Sequence, residues 1–296
     1  MRAVTWLLAA VLACTPLAAH AQQRVSFPSV GAGLRGKPDP VVDGYLFGAT
    51  DSARPAVVLL HGCGGLVDAA GKLSPREVDW AARLTALGYV VLAVDSFTTR
   101  HQGQECAPGA PRTVDVGFDR VHDAYAALRF LRTLSFVDPD RIGVIGWSQG
   151  GQTVLVTLND ADAFGFSGDQ GFRAAVAFYP SGCNVSGWSQ PASNRLDWTT
   201  PVPLLVLFGG SDTWLSAAAC EQFVARAQQQ GAPASIQVYP GAYHDFDWPN
   251  LPRRELPQYT PRGRTVAPIV ATDLPAWAAA IEQVKDFLAR TLQTQR

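Results

Sequence analysis

No sign of charge dominates this chain. Its 24 lysines and arginines stand against 25 aspartates and glutamates, and without a basic block nothing can track a phosphate backbone, which argues against nucleic acid as a partner. Long apolar runs are missing after the first two dozen residues, so no stable membrane insertion is expected of the remainder. Histidine and cysteine are scarce, five of each, and no Cys-x-x-Cys pair occurs. That scatter argues against a metal centre, and no cofactor motif is visible. Internal repeats are absent too, which leaves one large domain or at most two.

What the sequence does contain begins with a leader. Arg2, the apolar stretch Trp6 to Ala13 and then Ala19-His20-Ala21 follow the order of a secretory signal peptide, too short to span a bilayer. Residues 1–21 are therefore expected to be removed, sending the protein to the periplasm or the extracellular medium. The mature chain keeps Cys63, Cys106, Cys183 and Cys220. In an oxidising compartment four cysteines suggest two disulfides, with three connectivities possible. Residues 22–44 read as an irregular N-terminal arm, and 45–296 as the main domain.

From Val57 onward short apolar runs alternate with amphipathic stretches, the pattern of a mostly parallel sheet flanked by helices on both faces. The expected strands are Val57–Leu60, Val90–Val94, Ile142–Ile145, Ala174–Phe178, Leu204–Phe208 and Ile236–Tyr239. Helices are expected near 76–87, 115–134, 149–159, 216–230 and 275–292. The stretch from Trp248 to Pro275 is rich in proline and arginine and reads as a surface excursion. Placing the cysteines at the ends of neighbouring strands predicts the pairs Cys63–Cys106 and Cys183–Cys220.

Gly146-Trp-Ser-Gln-Gly150 matches the G-x-S-x-G elbow, in which a serine sits on a turn so tight that its neighbours must lack side chains. A serine nucleophile requires a histidine base and a carboxylate that orients it, in the chain order Ser, acid, His on this type of fold. Asp212 follows the run Leu204–Phe208, and His244 lies in a loop after the run Ile236–Tyr239. Asp245 and Asp247 compete for the acid role. His61-Gly-Cys-Gly-Gly65 after the first run supplies a glycine-rich turn for an oxyanion, with the backbone N–H groups of Cys63 and Gln149 as expected donors. His61 is expected to brace that turn, and His101 and His122 to lie at the surface. Trp147, Trp214, Tyr243 and Trp248 neighbour the triad in sequence and are expected to line an aromatic cleft, although Trp147 could instead pack beneath the elbow.

The set His61-Gly-Cys-Gly-Gly-Leu66, Asp95-Ser-Phe97, Gly146-Trp-Ser-Gln-Gly-Gly151, Tyr179-Pro-x-x-Cys183 and Gly210-Ser-Asp-Thr-Trp214, followed by Tyr243-His244, resembles exported members of the dienelactone hydrolase family within the α/β-hydrolase superfamily. The resemblance implies an α/β-hydrolase fold without a large cap, and ester or lactone hydrolysis with a small-molecule or polymeric ester as the partner. Members that gave the family its name carry cysteine in the elbow. Ser148 departs from that pattern, so dienelactone cleavage itself is not carried over. Cutinase-like polyester hydrolysis and serine peptidase activity are the alternative enzyme readings, and a non-catalytic binding protein on this scaffold is the alternative of another class.

Overall fold

In a computed structural model the described residues are 22–29, 40–159, 171–183 and 198–293. The expected leader, at 1–21, lies outside them. Among the described residues no helix is long and apolar enough to cross a membrane.

The sheet has eight strands among the described residues: β1 (Gln23–Pro28), β2 (Val41–Phe47), β3 (Arg54–Leu60), β4 (Val90–Asp95), β5 (Val137–Trp147), β6 (Ala174–Phe178), β7 (Leu204–Gly209) and β8 (Ala234–Tyr239). They are ordered β1-β2-β4-β3-β5-β6-β7-β8. Strands β3 to β8 are parallel, whereas β1 and β2 add an antiparallel edge. Every residue of β4, β6 and β7 is buried, which is why these strands read as unbroken apolar runs rather than alternating ones.

Among the described residues five α-helices complete the layers: α1 (Pro75–Ala86), α2 (Asp119–Arg132), α3 (Gln149–Asn159), α4 (Ala217–Gln229) and α5 (Leu274–Leu292). The step from β3 to β4 runs one way along the sheet and the steps from β4 onward run the other. Right-handed crossovers therefore put α1 on one face and α2, α3 and α4 on the opposite one. The reversal occurs beside β3, and the crevice at the carboxyl ends of the strands there is where open α/β sheets bind ligands.

Where it is described, at 22–29 and 40–44, the N-terminal arm is not irregular. Its residues form β1 and much of β2, and β1 pairs antiparallel with β2 from Gln23 against Leu46 to Pro28 against Val41. Asp43 and Gly44, within β2, both serve the sheet. Asp43 is buried because Ser26 Oγ donates to it at 2.6 Å and Arg24 at 2.5 Å. A Cβ at Gly44 would lie 2.8 Å from Leu92 Cδ1 and 3.3 Å from Ala93 O, so a larger residue there would require the Leu92 side chain to shift. The Trp248–Pro275 excursion contains one small ordered device, the two-stranded β9 (Arg254–Glu255) and β10 (Ile269–Val270).

Cysteines 63 and 106 are joined, as are 183 and 220. Both bridges tie loops at the ends of the strands, the same end as the elbow.

Candidate active site

Ser148 sits between the end of β5 and the start of α3 with φ of +52°, a left-handed conformation in which a side chain is strained. The surroundings force it. A Cβ at Gly146 would meet Gly150 O at 2.3 Å, and one at Gly150 would meet Leu60 O at 2.1 Å. Backbone bonds then fix the turn, since Ser148 N donates to Phe178 O at 3.0 Å while Ser148 O accepts from Gln152 N and Ser181 N.

Asp212 lies just beyond β7 with its side chain wholly buried. One carboxylate oxygen accepts from the backbone N–H groups of Trp214 and Leu215, at 2.8 and 2.9 Å, and the other faces His244 Nδ1 at 2.7 Å. The turn role and the orienting role are therefore both filled by one side chain. His244 is 2% exposed, and its loop is pinned by the backbone bond from Ala271 N to His244 O. Burial alone would lower the imidazole pKa, but the Asp212 carboxylate and its hydrogen bond, with Asp245 adding, hold it above the ordinary value.

The competing carboxylates are engaged elsewhere. Asp245 pairs with Arg76 at 2.8 Å. Asp247 is fully buried and accepts from Trp80 Nε1, Trp147 Nε1 and Tyr179 OH at 2.8, 2.7 and 2.5 Å. Burial raises its pKa, with Arg76 and these three donors opposing. Together they anchor the His244 loop to α1, to β5 and to the residue after β6.

Ser148 and His244 open onto one cavity of about 420 Å³, within the range that accepts drug-sized molecules. The glycine-rich turn from Gly62 to Gly65, including Cys63, forms its floor, and Trp214, Trp248, Tyr259, Leu66, Leu256 and Val270 form much of its wall. A Cβ at Gly62 would sit 3.7 Å from Ser148 Cβ, so that turn passes close beside the elbow. Trp214 stacks on Tyr259 with ring centroids 5.5 Å apart and also flanks His244 at 5.1 Å.

Two of the four expected cleft aromatics are elsewhere. Trp147 is fully buried beneath the elbow, stacked on Phe178 and bonded to Asp247. It cannot touch a ligand in the cavity. Tyr243 lies against the Arg253 guanidinium at 5.4 Å and does not line the cavity. In their place stand Tyr259 and Arg76, from the proline-rich excursion and from α1. The sequence signal for Tyr259 was weak because its segment has no periodicity, and Arg76 resembled a solvent-facing helix residue.

The other histidines divide differently from the sequence reading. His61 is fully buried with Nδ1 2.7 Å from Gly62 O, and burial together with Arg120 pushes its pKa well down. His101 is exposed. His122 is not at the surface: it is 2% exposed, with Nδ1 2.8 Å from Phe118 O, because α2 is buried on nearly all sides.

Comparisons with known proteins follow the same outline. Esterase 2 of Thermogutta terrifontis, in a structure phosphorylated by paraoxon, superposes with a TM-score of 0.62 at 19% identity, covering 93% of this chain and 96% of that one. A probable 2-oxo-3-(5-oxofuran-2-ylidene)propanoate lactonase of a Bradyrhizobium species is 26% identical over 215 residues, 70% of this chain and 76% of that protein. Dipeptidyl peptidase 8 of Homo sapiens is 27% identical over 188 residues, 56% of this chain, which spans only a fifth of that protein's length. The fold is that of the α/β-hydrolases. Since the sequence profile of the dienelactone hydrolase family matches residues 42–291, the chain belongs to that family.

Proposed function

We propose that this protein, a carboxylic ester hydrolase by family, works through Ser148 as nucleophile, His244 as general base and Asp212 as the group that orients the imidazole. The observation that carries the reading is the 2.7 Å contact between His244 and the buried Asp212, beside a serine held at φ +52° over the same cavity. Neutral His244 takes the hydroxyl proton through Nε2 as Ser148 Oγ attacks the ester carbonyl. The N–H groups of Cys63 and Gln149 receive the oxyanion. Collapse expels the alcohol, protonated by His244, and leaves an acyl-serine. Water, activated by the same histidine, then releases the acid.

The paired Trp214 and Tyr259 rings beside His244 favour an aryl or cyclic group on the ester. Secretion through the 1–21 leader agrees with the two disulfides. The test is a panel of nitrophenyl esters, aryl esters, lactones and aromatic polyesters on the mature protein. Aryl esters and lactones are expected to exceed acyclic alkyl esters of equal size by about tenfold in kcat/KM, as one ring contact of about 1.4 kcal/mol gives. A preference for peptides over all esters would refute the proposal.

The acid limb of the pH profile has a sign fixed by the site. Protonated His244 cannot accept the serine proton, and the Asp212 contact raises the His244 pKa above its ordinary value near ~6.5. In the free enzyme kcat/KM is therefore expected to rise with pH with a midpoint above about 6.5, then level off. A midpoint below about 6, measured where chemistry limits the rate, contradicts this pairing.

A further inference from the structure

Beneath the two loops that carry Cys63 and Gln149 runs a buried polar strip that takes no part in proton transfer. The Gln149 side chain turns away from the cavity into the protein and is only 6% exposed. Its Oε1 accepts from Arg120 Nη1 at 2.9 Å, and its Nε2 donates to Glu105 Oε2 at 2.7 Å. Arg120 and Glu105 are themselves wholly buried.

The same two residues reach the other arm of the site. Arg120 Nη2 donates to His61 O at 2.6 Å, at the head of the glycine-rich turn. Glu105 N donates to Cys63 O at 2.8 Å, and the next residue, Cys106, is bonded to Cys63 through sulfur. Within the turn one backbone bond, from Gly65 N to Gly62 O at 3.2 Å, spans Cys63, and its glycines add little further stiffness. Gly62, Gly64 and Gly65 surround Cys63, and a Cβ at Gly64 would touch nothing within 4 Å, so the backbone there is both free to rotate and unpacked on that side. Holds on its carbonyls and on its sulfur come from Arg120, Glu105 and Cys106.

Burial draws the Arg120 pKa down to about 10, with Asp123 and Glu105 opposing. A guanidinium placed so deep is an unfavourable choice for stability alone, since apolar packing commonly does as well. Oxyanion donors, by contrast, work only when fixed about 2.7–3.1 Å from where charge develops, and a misplacement of ~1 Å costs about a hundredfold in rate.

We infer that Arg120, Gln149 and Glu105 form a clamp that sets the spacing between the Cys63 and Gln149 backbone donors, with the Cys63–Cys106 bridge closing its fourth side. These three are positioning residues. None touches the ester, and the inference rests on Ser148 and its oxyanion donors acting as proposed above.

Gln149→Met keeps the backbone N–H and the side-chain volume but removes both side-chain hydrogen bonds. It is expected to lower kcat for a nitrophenyl ester by about 10- to 100-fold with KM within about threefold. Affinity for a trifluoromethyl ketone, which forms a tetrahedral adduct, should fall by the same factor, while affinity for the unreactive product acid stays constant. Leu288→Ala, in α5 and remote from the site, serves as a variant of reduced thermal stability and is expected to keep full kcat.

Two further variants decide the matter even if Gln149→Met does not fold. Gln149→Glu sets two carboxylates face to face and should lose activity. Adding Glu105→Gln restores the net charge and both hydrogen bonds, with donor and acceptor exchanged only between positions 149 and 105 while Arg120 still donates to 149, and should recover kcat to within about fivefold of the parent. A double variant no better than the single one, or a Gln149→Met enzyme with unchanged kcat and ketone affinity, overturns the clamp. If Ser148→Ala keeps its activity, the underlying mechanism fails instead, so the two failures are distinguishable.

Discussion

Alanine at position 148 is expected to lower kcat for a nitrophenyl ester by about four to six orders of magnitude while leaving the folded protein intact. The two halves of that expectation have separate causes. The hydroxyl is the only part of Ser148 that the proposed chemistry uses, and the residual rate comes from the cavity and the oxyanion donors alone. The turn does not depend on the hydroxyl. Its bonds run through Ser148 N to Phe178 O and through Ser148 O to Gln152 and Ser181, and alanine at φ +52° carries the same Cβ strain as serine. The melting temperature should therefore stay within a few degrees of the parent's. Labelling by a fluorophosphonate should disappear in parallel with turnover. Activity above about one hundredth of the parent, in protein freed of wild-type contamination, would remove Ser148 from the mechanism.

The parts of the fold that were legible from sequence are those whose physics is local or doubly buried. Strands β4, β6 and β7 are covered on both faces, so apart from Asp95 at the end of β4 they read as apolar runs. The elbow was legible because Gly146 and Gly150 are required by backbone atoms 2.3 and 2.1 Å away. Hidden features depend on partners distant in sequence. The described part of the arm reads as irregular until β1 is paired with β2 and Arg24 and Ser26 are brought beside Asp43. Helix α2 buries Arg120, His122 and Asp123, residues that an amphipathic reading assigns to solvent. Arg120 is accommodated by Gln149 and His61 O, and Asp123 by Arg100 and Ser29.

The candidate site divides the same way. Ser148, Asp212 and His244 each follow a strand, and the order of strands could be read without coordinates. The cavity wall could not. Whether an aromatic faces the cavity or the core depends on the loop path, which put Trp147 under the elbow and brought Tyr259 from a proline-rich segment with no period. Adjacency to a functional residue in sequence was thus an uneven guide to contact, since it held for Trp214 and Trp248 and failed for Trp147 and Tyr243.

Asp212→Asn should lower kcat by about 10⁴-fold, the scale of the same exchange in a Ser-His-Asp triad. The change is nearly isosteric, and the turn should survive, since the asparagine carbonyl can still accept from Trp214 N and Leu215 N. What changes is the atom facing His244 Nδ1. A carboxylate accepts a hydrogen bond from Nδ1–H and leaves Nε2 bare toward the nucleophile, whereas an amide N–H in that place favours the opposite tautomer, with hydrogen on Nε2 and no base for Ser148. The pH profile carries a second signature. Removing the carboxylate takes away the main influence that raises the His244 pKa and leaves burial, which lowers it. The midpoint of the acid limb should therefore move to lower pH even as the plateau falls. Fluorophosphonate labelling should slow by a similar factor, since it depends on the same activated hydroxyl. Should the plateau fall with the midpoint unmoved, Asp212 would be acting on the fold rather than on the histidine, and Asp245, the other carboxylate acting on His244, would become the group to test.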